Sequence, residues 1–147
     1  NHILIGSEDP ECDERIFVDP DNWDDNFTDQ WNAQLYRQAQ RYPDLPLSSK
    51  VKGVMSLYDV SDDWIPIYDK SDLPGFYMAI GSSGNQYKNA PIAGVMMTKL
   101  IESCESGQNH DDDPVQLDLK YINRKIDIGF YSRNRIINSE SSMSVLG

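Results

Sequence analysis

The pattern of apolar and polar positions changes period several times along the chain, and the sharpest change lies in Gly75–Gly107, GFYMAIGSSGNQYKNAPIAGVMMTKLIESCESG. Phe76–Ile80 is a continuous apolar run with the length and composition of a buried strand. Gly81-Ser82-Ser83-Gly84 breaks it, because glycine reaches backbone angles that other residues avoid. Asn89 is placed as an N-cap, Pro91 suits a first helical turn, and Gly107 suits the position just past a helix end. The stretch therefore predicts strand, glycine loop and helix, with the helix spanning Ala90–Ser106. In that order the loop N–H groups and the positive end of the helix dipole face whatever occupies the loop, favouring an anion or an electron-rich ring edge. A tight strand-to-helix connection without a ligand has the same pattern.

Elsewhere the periods are weaker. His2–Ile5 reads as a short strand closed by Gly6, and Glu8 to Asn26 as loop with a brief extended piece at Ile16-Phe17-Val18. Thr28 is the expected N-cap of a helix reaching about Tyr42, stopped by Pro43, with Trp31, Leu35, Ala39 and Tyr42 on its buried face. Lys50 to Val60 alternates like a strand, with Val51, Gly53, Met55 and Leu57 on one face. Trp64–Tyr68 is a further short strand after the Ser61-Asp62-Asp63 turn. Leu117–Tyr121 and Ile126–Tyr131 are two more, and Asn138–Gly147 reads as a serine-rich tail. Strands so closely spaced favour antiparallel pairing. The helix from Ala90 is apolar on most sides in its first half, which predicts burial between layers. The fold class expected is α+β, a mainly antiparallel or mixed sheet with two principal helices.

Composition narrows the chemistry. The 147 residues suffice for one domain with a real core, and no apolar run approaches a membrane span. A formal charge of −11 argues against a nucleic-acid partner, which needs clustered Lys and Arg. The acid is concentrated between Glu8 and Asp29, whereas Arg124, Lys125, Arg133 and Arg135 make the end basic and place a second face near some anion. Cys12 and Cys104 form no disulfide framework, and no basic-then-apolar leader is visible, so a reduced, cytoplasmic protein is expected. His2 and His110 make no metal-ligand spacing, and Asp111-Asp112-Asp113 lacks the turn glycine of a calcium loop; no metal is expected, only a surface loop ended by Pro114.

Phe76 to Glu102 resembles the C-terminal segment of the FAD-dependent amine and amino-acid oxidoreductases, the D-amino-acid oxidase, sarcosine oxidase and glycine oxidase family. In that family a strand ending in Gly leads into a Ser-Gly-x-Gly-aromatic-Lys loop and an Ala/Pro-started helix. The matching residues are Gly81, Ser83, Gly84, Tyr87, Lys88, Ala90, Pro91 and Gly94. Asn85 stands where sarcosine oxidases usually have His, and Gln86 where they usually have Gly. Upstream, Val54–Asp59 and Asp62–Ile67 resemble the family's strand, Thr-x-Asp turn and Pro-Ile/Val strand. Downstream, Phe130-Tyr131-Ser132-Arg133 resembles its closing Phe-Ser-x-x-Arg region, so the likeness covers roughly Lys50 to Arg135.

The resemblance implies oxidation of a C–N bond in an amino acid or an N-methylated amine such as sarcosine, with hydride passing from the carbon beside nitrogen to flavin N5. It assigns Gly81, Ser83, Gly84, Asn85, Gln86, Tyr87 and Lys88 to the flavin side. Loop N–H groups near Tyr87–Asn89 would stabilise charge on flavin N1 and O2. Lys88 would bind the substrate carboxylate and Tyr58 would line the substrate pocket. Ser56 occupies the position of the cysteine that tethers FAD in monomeric sarcosine oxidases, so the FAD expected is non-covalent. No G-x-G-x-x-G unit is found in the chain. The sequence is accordingly expected to be the C-terminal part of a two-domain enzyme that lacks its dinucleotide-binding half. Residues 1–70 would belong to the substrate-binding domain, 71–107 to the flavin-facing strand, loop and helix, and 108–147 to the C-terminal strands and tail. Apolar faces left uncovered would favour self-association. The alternative from another class is a stand-alone acidic protein-interaction module that keeps the fold without flavin or catalysis.

Overall fold

The computed structural model describes residues 3–6 and 16–145, and the chain divides into two compact units, Asn1–Leu57 and Tyr58–Gly147. The described residues form an α+β chain with two α-helices and two small antiparallel sheets. The elements are α1 (Asp29–Ala39), β1 (Ile67–Lys70), β2 (Tyr77–Ile80), α2 (Ala90–Glu105), β3 (Gln116–Leu119) and β4 (Arg124–Asp127). Short 3-10 turns at Gln86–Asn89 and Ile128–Tyr131 complete them.

In the first unit, α1 starts as its sequence dictates: the Thr28 hydroxyl accepts the Trp31 N–H at 3.1 Å. It ends at Ala39, three residues before the expected Tyr42, which lies exposed in the following turn. Ala39 is the buried residue of the helix, and Trp31 stacks on Phe27 at 4.1 Å between centroids. Residues 51–60 adopt no regular structure, so the predicted strand from Lys50 to Val60 does not form. A strand is held by the ladder to its neighbour, and among the described residues only the two hairpins pair. Gly53 instead lies against Trp31, where an added Cβ would come within 2.5 Å of the ring. Ile3–Gly6 is likewise irregular, and His2 lies outside the described residues. Ile16-Phe17-Val18 forms no strand; the bridge nearby joins Asp19 to Asn22.

The second unit is built on two hairpins and α2. β1 pairs with β2 in the register Ile67↔Ile80 to Lys70↔Tyr77, and β3 with β4 in the register Gln116↔Asp127 to Leu119↔Arg124. Antiparallel pairing thus follows from the short connections, as expected. β1 starts at Ile67 rather than Trp64, whose φ of 61° is incompatible with a strand. The run Ile126–Tyr131 divides into β4 and a 3-10 turn, because the Asp127 side chain caps Gly129 N–H at 2.9 Å. α2 packs Met96 and Leu100 against Tyr68, Val115, Leu117 and Ile128, which together form the core. A fully buried side chain of this kind contributes about 1.5–3 kcal/mol. The opposite face of α2, including Gly94, Val95 and Ile101, stays exposed, so the expected burial between layers is realised on one side.

Both ends of α2 are informative. Asn89 makes no side-chain cap; its amide donates to Gln86 Oε1 at 3.1 Å, and the helix continues directly from the 3-10 turn. Gly107 has a φ of 99°, and its N–H and that of Gln108 close on the carbonyls of Cys104 and Ser103. That is the left-handed C-terminal stop anticipated for this glycine.

Candidate functional site

The loop between β2 and α2 is shaped by one carboxylate. Asp59 accepts the backbone N–H of Gly81, the N–H of Ser82 at 3.1 Å and the Ser82 hydroxyl at 2.7 Å. Its backbone carbonyl accepts the Ser83 N–H at 2.8 Å. Burial opposes ionisation of Asp59, but the hydroxyl and amide donors together hold its pKa below the ordinary carboxylate value. Gly81, Ser83 and Gly84 all take positive φ, at 68°, 48° and 74°. The first donors of the loop are thus satisfied from within, and Asn85, Gln86, Lys88 and Asn89 after Gly84 border a cavity.

That cavity has a volume of about 310 Å³, near the lower end of ordinary ligand sites, which run to roughly 300–1,000 Å³. Trp64, Tyr68, Phe130 and Tyr131 give it aromatic walls, with Ile92 and Met96 of α2 behind them. Asn85, Gln86, Lys88 and Asn89 bring polar groups to it from the loop and the 3-10 turn. Gln86 is fixed between partners: its Oε1 accepts the Tyr68 hydroxyl at 2.9 Å, and its amide donates to Asn85 Oδ1. Lys88 is exposed at the rim. Ser141, Ser142 and Ser144 line the same cavity, so the serine-rich tail contributes to the site.

Of the residues assigned by resemblance, Asn85, Gln86 and Lys88 meet at the cavity. Gly81 and Ser83 are buried beneath the loop, and Gly84 shapes its turn. Tyr87 points away and is 97% exposed. Tyr58 lies edge-on to Trp64 at 6.2 Å and against Gly84; it does not line the cavity. A larger recess of about 690 Å³ lies in the first unit between Ile3–Gly6 and the turn after α1. None of the assigned residues borders it.

No known protein family, curated protein or solved structure matches the chain.

Two ion-pair systems frame the cavity's unit, and sequence reasoning missed both pairings. Arg135 holds the buried carboxylate of Asp63, with Nε–Oδ2 at 3.0 Å, and also donates to the Ile65 carbonyl at 2.8 Å. Asp63 is held far below the ordinary carboxylate value, chiefly by Arg135. Arg133 reaches Asp69 at 3.1 Å, Asp72 at 2.6 Å and Asp111 at 2.8 Å. Asp111 is drawn down to about 2 by Arg133 and then Lys70. The expectation that the basic end faces an external anion is therefore corrected for Arg133 and Arg135, whose charges are matched within the unit. Among the described residues no cluster of His, Cys, Asp or Glu is arranged to hold a metal ion, and no helix is long and apolar enough to cross a membrane.

Proposed function

We propose that this chain is the C-terminal part of an FAD-dependent oxidoreductase that oxidises the C–N bond of an amino acid or an N-methylated amine. The observation that carries the reading is the meeting of Lys88, Gln86 and Asn85 on one aromatic-walled cavity at the start of α2. A flat ring system with an electron-rich, hydrogen-bond-accepting edge suits aromatic walls with carboxamides along one side. The donor set therefore fits the ring portion of FAD, with Asn85, Gln86 and Asn89 holding its polar edge. When bound, FAD would supply the hydride acceptor. Lys88 offers a mobile ammonium to a carboxylate arriving at the rim. Asp59 keeps the loop in shape by occupying the N–H groups of Gly81 and Ser82. Ser56 leaves the cofactor without a thioether tether, hence non-covalent.

The decisive experiment begins with the coding DNA upstream of Asn1. An in-frame G-x-G-x-x-G segment, and a longer expressed protein carrying one FAD per chain that an N-methyl amino acid bleaches without oxygen, is the expected result. A longer protein that is colourless and does not take up added FAD would overturn it. The present chain, without a dinucleotide-binding half, should purify colourless.

The second reading is a protein-interaction module, favoured by the exposed apolar residues Tyr121, Ile122 and Ile136 on an acidic chain. It predicts a chain that captures a partner with its cavity residues replaced, and that never binds flavin.

A further inference from the structure

His110 lies in the segment between α2 and β3 and is 1% exposed. Its Nδ1 accepts the Val115 N–H at 3.0 Å, which means that Nδ1 carries no proton and the neutral ring bears its hydrogen on Nε2. Nε2 has no hydrogen-bond partner; its nearest carboxylate oxygen, Asp69 Oδ1, is 3.7 Å away, beyond hydrogen-bond distance. Asp69 is already engaged by the Lys70 N–H, the Ser132 hydroxyl, and the N–H and guanidinium of Arg133. The groups facing the ring are Asp69 and Lys70 from β1, Asp111 from its own segment and Asp127 from the end of β4; the backbone N–H of His110 meets the Cys104 thiol of α2.

We propose that His110 is an acid-operated latch on residues 109–115. In the neutral form the ring pins the Val115 N–H and so closes the segment onto the start of β3. A second proton can go only to Nδ1, where it would stand donor against donor with the Val115 N–H in a site without water access. The ring must then leave its acceptor position, and the segment opens. Asp111 opens with it and releases part of its hold on Lys70 and Arg133, while Asp69 and Asp72 keep Arg133 in place. Opening is therefore local.

Attraction of an imidazolium to Asp69 works the other way. Burial outweighs it, and the His110 pKa lies below the ordinary histidine value. Two neighbours are moved away from the window between pH 5 and 7.5: Asp111 is drawn down to about 2, and burial raises the Cys104 thiol. The sign follows from linkage. Protection is complete above pH 6.5 and declines as pH falls toward the lowered pKa of the closed form.

The test is amide hydrogen exchange at Val115, corrected for intrinsic rates, from pH 7.5 to 5, with imidazole ¹⁵N shifts recorded in parallel. Wild type should lose protection by up to about tenfold per pH unit below 6.5, while the core amides of α2 hold. His110→Asn keeps an acceptor for Val115 but cannot be protonated, and should remove the pH dependence; His2→Gln should not. Equal pH dependence in wild type and His110→Asn overturns the latch, as does its loss in His2→Gln. Should His110→Asn not fold, the wild-type ¹⁵N titration decides. A proton on Nδ1 at pH 7.5, or a pKa at or above 6.5, overturns the proposal, and an Nε2–H tautomer with a depressed pKa supports it.

Discussion

Arg135 grips Asp63 across 72 positions of sequence, with Nε donating to Oδ2 at 3.0 Å and Nη2 donating to Oδ1. The carboxylate is fully buried and also accepts the N–H groups of Ile65 at 3.1 Å and Asn138 at 3.2 Å. It thereby fixes the chain entering β1 and the chain entering the serine-rich segment at one point.

Removing one partner of a buried pair leaves an uncompensated charge, which costs roughly 3–5 kcal/mol. Arg135→Met should lower the free energy of unfolding by about that amount in urea titration. The double change Arg135→Met with Asp63→Leu should recover a large part of it, because neither variant side chain then strands a charge. A single change costing no more than an exposed ion pair, about 0–1 kcal/mol, would mean that water reaches Asp63.

Acid should act through the same network. Asp111 has its pKa lowered from 3.8 to about 2 by Arg133 and Lys70. A depressed carboxylate contributes stability that is complete above the ordinary value and is lost as pH falls through the lowered one. Denaturation midpoints should therefore fall between pH 4 and 2, a window lying below that of His110. Asp111→Asn should flatten this acid limb while lowering stability at pH 7. An unchanged limb would show that Asp111 does not govern it.

What was legible in the sequence was local. Thr28 capped α1, Gly107 stopped α2, and the short connection between the runs Trp64–Tyr68 and Phe76–Ile80 gave an antiparallel hairpin, each decided by residues a few positions apart. The alternation in Lys50–Val60 was equally clear, yet it formed no strand, because a ladder needs a neighbour that the pattern itself does not supply. The ion pairs joining Asp63 to Arg135 and Asp69 to Arg133 span long loops, and charge spacing carries no information at that range. One signal was present. Asp69 extends an apolar strand run, and a carboxylate in such a place demands a cation from elsewhere. Asn85, Gln86 and Lys88 were named through the resemblance, and the cavity brings the three together; the aromatic wall from Phe130 and Tyr131 and the serines Ser141, Ser142 and Ser144 were not legible, since only tertiary packing brings them there.

Two glycines offer a paired test of conformation against space. Gly84 has a φ of 74°, and an added Cβ would come within 3.0 Å of Val145 and 3.3 Å of Tyr58. Gly84→Ala should destabilise by about 1–2 kcal/mol from backbone strain alone. Gly94, inside α2, has nothing within 4 Å of an added Cβ. Gly94→Ala should stabilise by roughly 0.5–1 kcal/mol. Thermal unfolding of the two variants should move in opposite directions; a shared direction would contradict the loop geometry.

On the function proposed above, Lys88 in a full-length oxidoreductase would carry the sharpest functional test. Its side chain is exposed at the cavity rim and forms no ion pair among the described residues, so its removal strands no charge. Lys88→Met nearly keeps the length, and the loop held by Asp59 should fold unchanged with FAD still bound. A substrate carboxylate would lose a charge-assisted hydrogen bond worth roughly 1.5–3 kcal/mol. That corresponds to about a ten- to hundred-fold loss in kcat/KM for an amino-acid substrate. An amine of the same size without the carboxylate should lose far less. Equal losses for both would assign Lys88 to the flavin, and no loss for either would make it a surface lysine.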